Sequence, residues 1–173
     1  EKQKFVHITE HIGKGEKYEN LSVSSLGEHT RAFIKIEDGC NRFCSYCIIP
    51  YARGRSRSKP VEVIREEAAA LALEGHKEIV LAGINLAFYG RDIGLCMIDA
   101  VEECCKIEGV ERVRLGSLEP EMISDDDLLR LSALEQFCPQ FHLSLQSGCD
   151  RTLRSMNRHY LSLIHISEPT RHA

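Results

Sequence analysis

Three cysteines stand in one short loop, Cys40-x-x-x-Cys44-x-x-Cys47. Thiolates so closely bunched can bind three corners of one metal centre. A [4Fe–4S] cubane has four irons, so one iron is left without a protein ligand. That open iron can chelate the amino and carboxylate groups of S-adenosylmethionine, and reductive cleavage of the sulfonium then yields a 5′-deoxyadenosyl radical; the hard chemistry belongs to the cofactor. Gly39 lets the chain turn sharply into the loop. The competing reading is a zinc-stabilised binding module. Structural zinc wants four ligands, commonly in paired C-x₂₋₄-C units. Its fourth ligand would have to come from His29, His76, His142 or a distant cysteine, and no second C-x-x-C pair exists. Disulfides fit the spacing less well, because these cysteines are too close together and Cys104 and Cys105 are adjacent.

A loop of this kind needs a rigid frame, and the hydrophobic pattern supplies one. Residues 32–36 are a short β-rich run leading directly into the cysteine loop. A helix follows, with Pro60 at its first position, Ser58 as cap, an apolar stripe of Val61, Ile64, Ala68 and Leu71, and a stop at Gly75. Residues 78–82 form a buried-strand pattern ending at Gly83. Met97, Ala100, Val101, Cys104 and Ile107 outline a second helix, and residues 112–115 a third strand. Ser124 and the acids Asp125, Asp126 and Asp127 open a third helix, whose dipole they complement; Leu128, Leu131 and Leu134 stripe it. Residues 141–145 read as a fourth strand, and 150–158 as the start of a fourth helix. Four alternations of strand and helix predict an α/β fold of right-handed parallel βαβ units. They amount to half of a (β/α)₈ barrel or most of a six-stranded partial one, with a doubly wound open sheet as the alternative. In either fold functional residues gather at the carboxyl ends of the strands. The cysteine loop, Gly83-Ile-Asn85, Ser117-Leu-Glu119-Pro120 and Gln146-Ser-Gly148 all fall there.

Other features weigh less. Arg53, Arg55, Arg57 and Lys59 form an acid-free basic stretch beside the loop, a candidate contact for RNA phosphates. Only Tyr51 there could serve as a stacking platform. Cys96, Cys104, Cys105, Cys138 and Cys149 read as small buried hydrophobes rather than ligands, and His76 and His142 as structural.

The stretches Gly39-Cys40-Asn-Arg-Phe-Cys44-Ser-Tyr46-Cys47-Ile-Ile-Pro50-Tyr51-Ala-Arg53-Gly54-Arg55, Leu81-Ala-Gly83-Ile-Asn85 with Tyr89-Gly90, Arg114-Leu-Gly-Ser117-Leu-Glu119-Pro120, and His142 to Asp150 through Met156-Asn157-Arg158 resemble the radical S-adenosylmethionine methylthiotransferases. The likeness covers roughly residues 20–160. It is greatest toward the branch acting on threonylcarbamoyladenosine 37 of tRNA; the isopentenyladenosine 37 and ribosomal protein S12 branches are the alternatives. The resemblance implies a partial radical-SAM barrel. Cys40, Cys44 and Cys47 would hold the cluster, and Tyr46, Gly83, Asn85, Ser117, Glu119 and Gln146 would line the S-adenosylmethionine pocket; none is assigned a catalytic role. It also implies a reaction: one S-adenosylmethionine methylates a sulfur, a second yields the radical that takes hydrogen from C2 of adenine, and the methylthio group is installed there. A flavodoxin or ferredoxin would supply electrons.

The chain departs from that pattern at both ends. No cysteine precedes Cys40, whereas the family carries three more for a second [4Fe–4S] cluster. Residues 1–31 therefore read as the end of an N-terminal methylthiotransferase domain and a linker, 32–160 as a partial core, and the chain as a fragment unable to complete the reaction alone. Residues 161–173 lose the family pattern and read as a non-native tail of the kind left by adapter read-through. Composition is that of a globular protein, with 43 % hydrophobic and 28 % charged residues among 173. A net charge of −4 excludes a uniformly basic nucleic-acid binder but not a local patch. No apolar run suits a membrane span. Residues 1–31 show no signal-peptide pattern, so a cytoplasmic protein with reduced thiols is expected.

Overall fold

The computed structural model describes residues 18–19 and 31–165. His29, most of residues 1–31 and residues 166–173 lie outside them. Strand and helix alternate as expected: β1 (Arg31–Asp38), a single turn α1 (Ile49–Ala52), β2 (Arg57–Ser58), α2 (Val61–Leu73), β3 (Glu78–Gly83), α3 (Met97–Cys105), β4 (Arg112–Leu115), β5 (Ser117–Leu118), α4 (Asp125–Ser132), β6 (His142–Leu143) and α5 (Asp150–Ser155). The main sheet has the order β2-β1-β3-β4, parallel throughout except for β2. Past Gly116 the chain resumes as β5, which pairs with β6 in parallel. The result is an α/β half-barrel.

Ile34, Ile36, Ile79, Leu81, Val113 and Leu115 form the sheet side of the core, against Ile64, Ala68 and Leu71 of α2 and Ile98, Val101 and Cys104 of α3. The helical period therefore marks the buried face correctly. α2 ends as expected: Gly75 takes φ +94°, and His76 and Gly75 donate to the carbonyls of Leu71 and Ala72. α4 begins on Ser124, whose hydroxyl accepts from the Asp127 amide at 3.1 Å. At the lower end of the sheet the buried Glu78 carboxylate is shared by Arg31, Arg112 and Arg114 at 2.6–2.9 Å, one from β1 and two from β4. Burial works against that charge, but the bonds from Arg112 and Arg114 hold the carboxyl below its ordinary range.

Three expectations need correction. Ser58 does not cap α2, because Pro60 occupies the cap position. Ser58 lies instead in β2, where its amide donates to Asp92 at 3.0 Å and its hydroxyl accepts from the Gly90 amide at 2.8 Å. The fourth strand is split: a lone parallel bridge joins Phe137 to Val113, and ladder pairing resumes only at His142–Leu143. Pro139, which has no N–H to donate, sits between the two. The fourth helix stops at Ser155, and Asn157 takes φ +55°, in the manner of a helix-terminating residue. Beyond it the buried Tyr160 leads to a 3₁₀ turn, Ser162–His165, and the Ser162 amide donates to Asp150 at 2.7 Å.

Ile34 has no exposed surface, whereas Leu129 on α4 is 69 % exposed. Ile34→Ala should cost about 2–5 kcal/mol through lost burial and the cavity left behind, and Leu129→Ala no more than about 0.5 kcal/mol. Urea unfolding of the two variants checks this.

Candidate functional site

The carboxyl ends of the strands meet around one cleft. Cys40, Cys44 and Cys47 form one side of it; Asn85, Ser117, Glu119, Ser144, Gln146 and Arg158 form the other, and Tyr46 stands at the rim, 54 % exposed. The cleft, of about 190 Å³, is far larger than a single ion needs. Among the described residues no three His, Cys, Asp or Glu side chains gather closely enough to hold one ion. Three thiols lining one cleft would fit three corners of a cubane. His76 is buried beside Glu74. His142 meets the Ser117 hydroxyl at 3.2 Å.

The loop owes its shape to close backbone contacts. Gly39 has φ +87°, and a Cβ there would lie 2.1 Å from the Arg55 carbonyl oxygen. The Cys40 amide donates to the Gly54 carbonyl at 3.1 Å. From the far end of the chain, α5 closes on the loop. The Ser45 amide and hydroxyl donate to the carbonyls of Met156 and Ser155 at 3.1 and 2.8 Å, and Asn157 Nδ2 donates to the Phe43 carbonyl at 3.0 Å. Two buried arginines complete the grip. Arg42 donates to Glu119 and Glu121 and meets His159 Nδ1 at 2.8 Å. Arg158 donates to the Cys44 sulfur at 3.2 Å and pairs with Glu119 at 2.9 Å. Glu119 thus lines the cleft with both carboxylate oxygens already engaged by arginines.

A bulge in β1 between Lys35 and Glu37 turns Glu37 inward. Its carboxylate accepts from the Asn85 amide at 2.8 Å and the Ser56 hydroxyl at 2.7 Å. Gly83 does not line the cleft. It stands behind it, where a Cβ would press on Glu37 Oε2 at 3.0 Å and on Leu86, so its absent side chain makes room for Glu37. Asn85 is 6 % exposed, with Nδ2 3.9 Å from the Cys40 sulfur and its Oδ1 buried without a partner among the described residues. Burial raises the Cys40 thiol above its ordinary range, against the bonds it receives from the Arg42 amide and from Asn85.

The basic stretch is less available than its charges suggest. Lys59 is 1 % exposed and ion-paired with Glu67, so it cannot reach a phosphate. Arg57 is mostly covered, bonded to Asp38 and to the carbonyls of Arg53 and Arg55. Arg53 also engages Asp38 but stays half exposed. Arg55 is exposed and stacks over Phe43 at 4.5 Å, and Phe43 in turn packs edge-on against the exposed Tyr51. Of the other cysteines, Cys104 and Cys105 are buried as expected, their thiols pushed up to about 12 and about 11 chiefly by burial, whereas Cys138 and Cys96, the latter at the N-terminal cap of α3, are only half-buried. Cys149 is exposed rather than buried. Sequence reasoning missed Arg42 and Arg158; their positions inside the cysteine loop and beside Met156-Asn157 were the available signals.

Residues 34–163 match the radical SAM superfamily. The chain belongs to that superfamily. Its cofactors are a [4Fe–4S] cluster and S-adenosylmethionine. Two solved radical SAM enzymes share the fold at 16 % identity: the methyltransferase TsrM of Kitasatospora setae, with a TM-score of 0.61 over 77 % of this chain and 27 % of that one, and the cobalamin-dependent OxsB, with 0.60 over 76 % and 20 %. Among curated relatives, the threonylcarbamoyladenosine tRNA methylthiotransferase MtaB of Chlamydia pneumoniae is 43 % identical over 83 % of this chain, and that of Thermotoga maritima 38 % over 89 %. The tRNA-2-methylthio-N(6)-dimethylallyladenosine synthase of Caldicellulosiruptor saccharolyticus is 45 % identical over 77 %. The chain spans 34, 38 and 29 % of the lengths of these three relatives. No helix among the described residues is long and apolar enough to cross a membrane.

In this radical SAM chain burial, above all, pushes the Glu37 carboxyl up to about 7, against the bonds from Asn85 and Ser56. A folded-state value above the unfolded one means that the folded chain binds the extra proton, so stability falls as pH rises from about 4.5 to about 7 and then levels. Glu37→Gln removes that titration. In the cluster-free chain, the stability of the variant relative to wild type should therefore rise between pH 5 and pH 8, by up to about 3 kcal/mol. Denaturant unfolding at the two pH values measures it.

Proposed function

We propose that this chain is the cluster-bearing part of a tRNA methylthiotransferase that modifies C2 of threonylcarbamoyladenosine 37. The observation that carries this reading is that Cys40, Cys44 and Cys47 line one cleft at the strand ends, in a chain 43 % identical to a protein named for that reaction. Cys40, Cys44 and Cys47 would hold a [4Fe–4S] cluster, which together with S-adenosylmethionine would supply radical chemistry. Around it the chain's own residues bind and orient. Asn85 would offer its carbonyl oxygen, which has no partner among the described residues, as an acceptor, Ser117 and Gln146 would offer polar groups from the strand ends, and Tyr46 would cover the adenine moiety at the rim. Arg53 and Arg55, with the exposed Tyr51 ring, are the groups left to meet RNA phosphate and base. The second cluster and the sulfur it serves are expected from sequence outside these 173 residues. A flavodoxin or ferredoxin would deliver electrons, in the cytoplasm. A second reading, dimethylallyl- or isopentenyladenosine 37 as substrate, is favoured by the 45 % identity to the Caldicellulosiruptor enzyme.

Anaerobic reconstitution should load about four iron and four sulfide per chain. Cys40→Ala, Cys44→Ala or Cys47→Ala should each abolish loading, and Cys104→Ala should not. Stoichiometric zinc without iron uptake would refute the cluster.

Substrate choice is read on the full-length parent protein, incubated with hypomodified tRNA and S-adenosylmethionine and followed by nucleoside mass spectrometry. Methylthio-threonylcarbamoyladenosine is the expected product, and methylthio-isopentenyladenosine alone would transfer the assignment to the second reading.

A further inference from the structure

Arg158 is the most heavily engaged charged group in the cleft. Its side chain is 5 % exposed. One terminal nitrogen donates to the Cys44 sulfur at 3.2 Å and meets Glu119 Oε1 at 2.9 Å; the other donates to the Ser144 carbonyl at 3.2 Å; Nε reaches the Tyr160 hydroxyl at 3.4 Å. The guanidinium also lies 5.2 Å from the centre of the Tyr160 ring. A charge buried this deeply is expensive unless every donor is satisfied. What an apolar residue could not do is place an N–H on the sulfur of Cys44. Hydrogen bonds to the sulfurs of an iron–sulfur centre tune its potential, and partners behind the ligands fix their orientation.

We propose that Arg158 is a positioning residue for the cluster: by donating to the Cys44 sulfur while Glu119 and Ser144 hold its fork in place, it stabilises the reduced cluster and raises its reduction potential. The inference rests on the assignment of Cys44 as a cluster ligand. The sign follows from charge. Reduction adds one electron, and the positive end of an N–H dipole on a ligand sulfur favours the more negative state. Glu119 balances the net charge of the guanidinium, so the effect reaching the sulfur is chiefly that of the directed N–H.

The test is a redox titration of the reconstituted 173-residue chain, monitored by electron paramagnetic resonance, for wild type, Arg158→Met and Arg158→Lys. Iron per chain and far-ultraviolet circular dichroism are recorded alongside, so that loss of fold or of cluster is seen separately from a shift. Arg158→Met should move the midpoint to a more negative value, with about a tenfold lower ratio of reduced to oxidised cluster at the wild-type midpoint, about 59 mV for a one-electron couple. Arg158→Lys keeps the charge without the fork and should fall between; it decides the matter if Arg158→Met loads no cluster. A loaded variant with the wild-type midpoint overturns this inference and leaves the cluster assignment standing. A wild-type chain that loads no iron overturns both.

Discussion

Much of this structure hangs on a single carboxylate. Glu119 leaves the end of β5 and is grasped by Arg42 from the cysteine loop and Arg158 from beyond α5. The segments it joins are far apart in sequence, and their other contacts are single hydrogen bonds such as those of Ser45 and Asn157. Both arginines are almost wholly covered. Removing the carboxylate would leave Arg158 without the anion it pairs with and Arg42 with Glu121 alone, which is the costly way to break a buried pair. Glu121 and His159 extend the same network on the Arg42 side. The cysteine loop is thus a panel held between strand ends and a helix terminus, and its thiols face a wall that is equally fixed.

The β1 side of the site follows the same logic with smaller parts. A one-residue register shift in β1 brings Glu37 in; Gly83 yields the space; the Asn85 amide is tethered to the carboxylate. Each depends on the others: a side chain at position 83 would displace Glu37, and loss of Glu37 would release Asn85. The neighbouring acid, Asp38, stays ionised. Burial works against its charge, but the bonds from Arg53 and Lys35 prevail and hold it below its ordinary range. Adjacent carboxyls on one strand thereby acquire opposite tendencies, one buried beneath Asn85 and one held by the basic stretch.

The cysteine loop, the parallel half-barrel and the helix faces were legible in the sequence because they rest on short-range patterns: three thiols at fixed spacing, Ile64-Ala68-Leu71 at helical period, Gly75 just past a helix. What was not legible depends on pairing at a distance. β2 is two residues long and polar, so no propensity announces it, yet it occupies Ser58 and removes it from helix capping. Lys59 reads as a surface charge until Glu67 is placed beside it. Arg42 and Arg158 read likewise as loop polarity, since a long charged side chain is usually solvated. Glu119 was correctly placed at the cleft, but the sequence could not say that its oxygens would already be taken.

The docking of α5 on the cysteine loop has a consequence for how the protein matures. Ser45, Phe43 and Cys44 are bound by residues more than a hundred positions later in the chain. Contacts of such long range form late, because the entropy of closing the intervening loop must be met before they contribute anything. During synthesis the three thiols therefore leave the ribosome on a strand-to-loop segment that has no partner yet, while the βα units behind them are still being made. The binding cage comes into being only when the last helix arrives. Assembly of the metal centre is in this way timed by completion of the half-barrel, and the interval before it is when these cysteines are most open to oxidation or to capture by a stray metal ion.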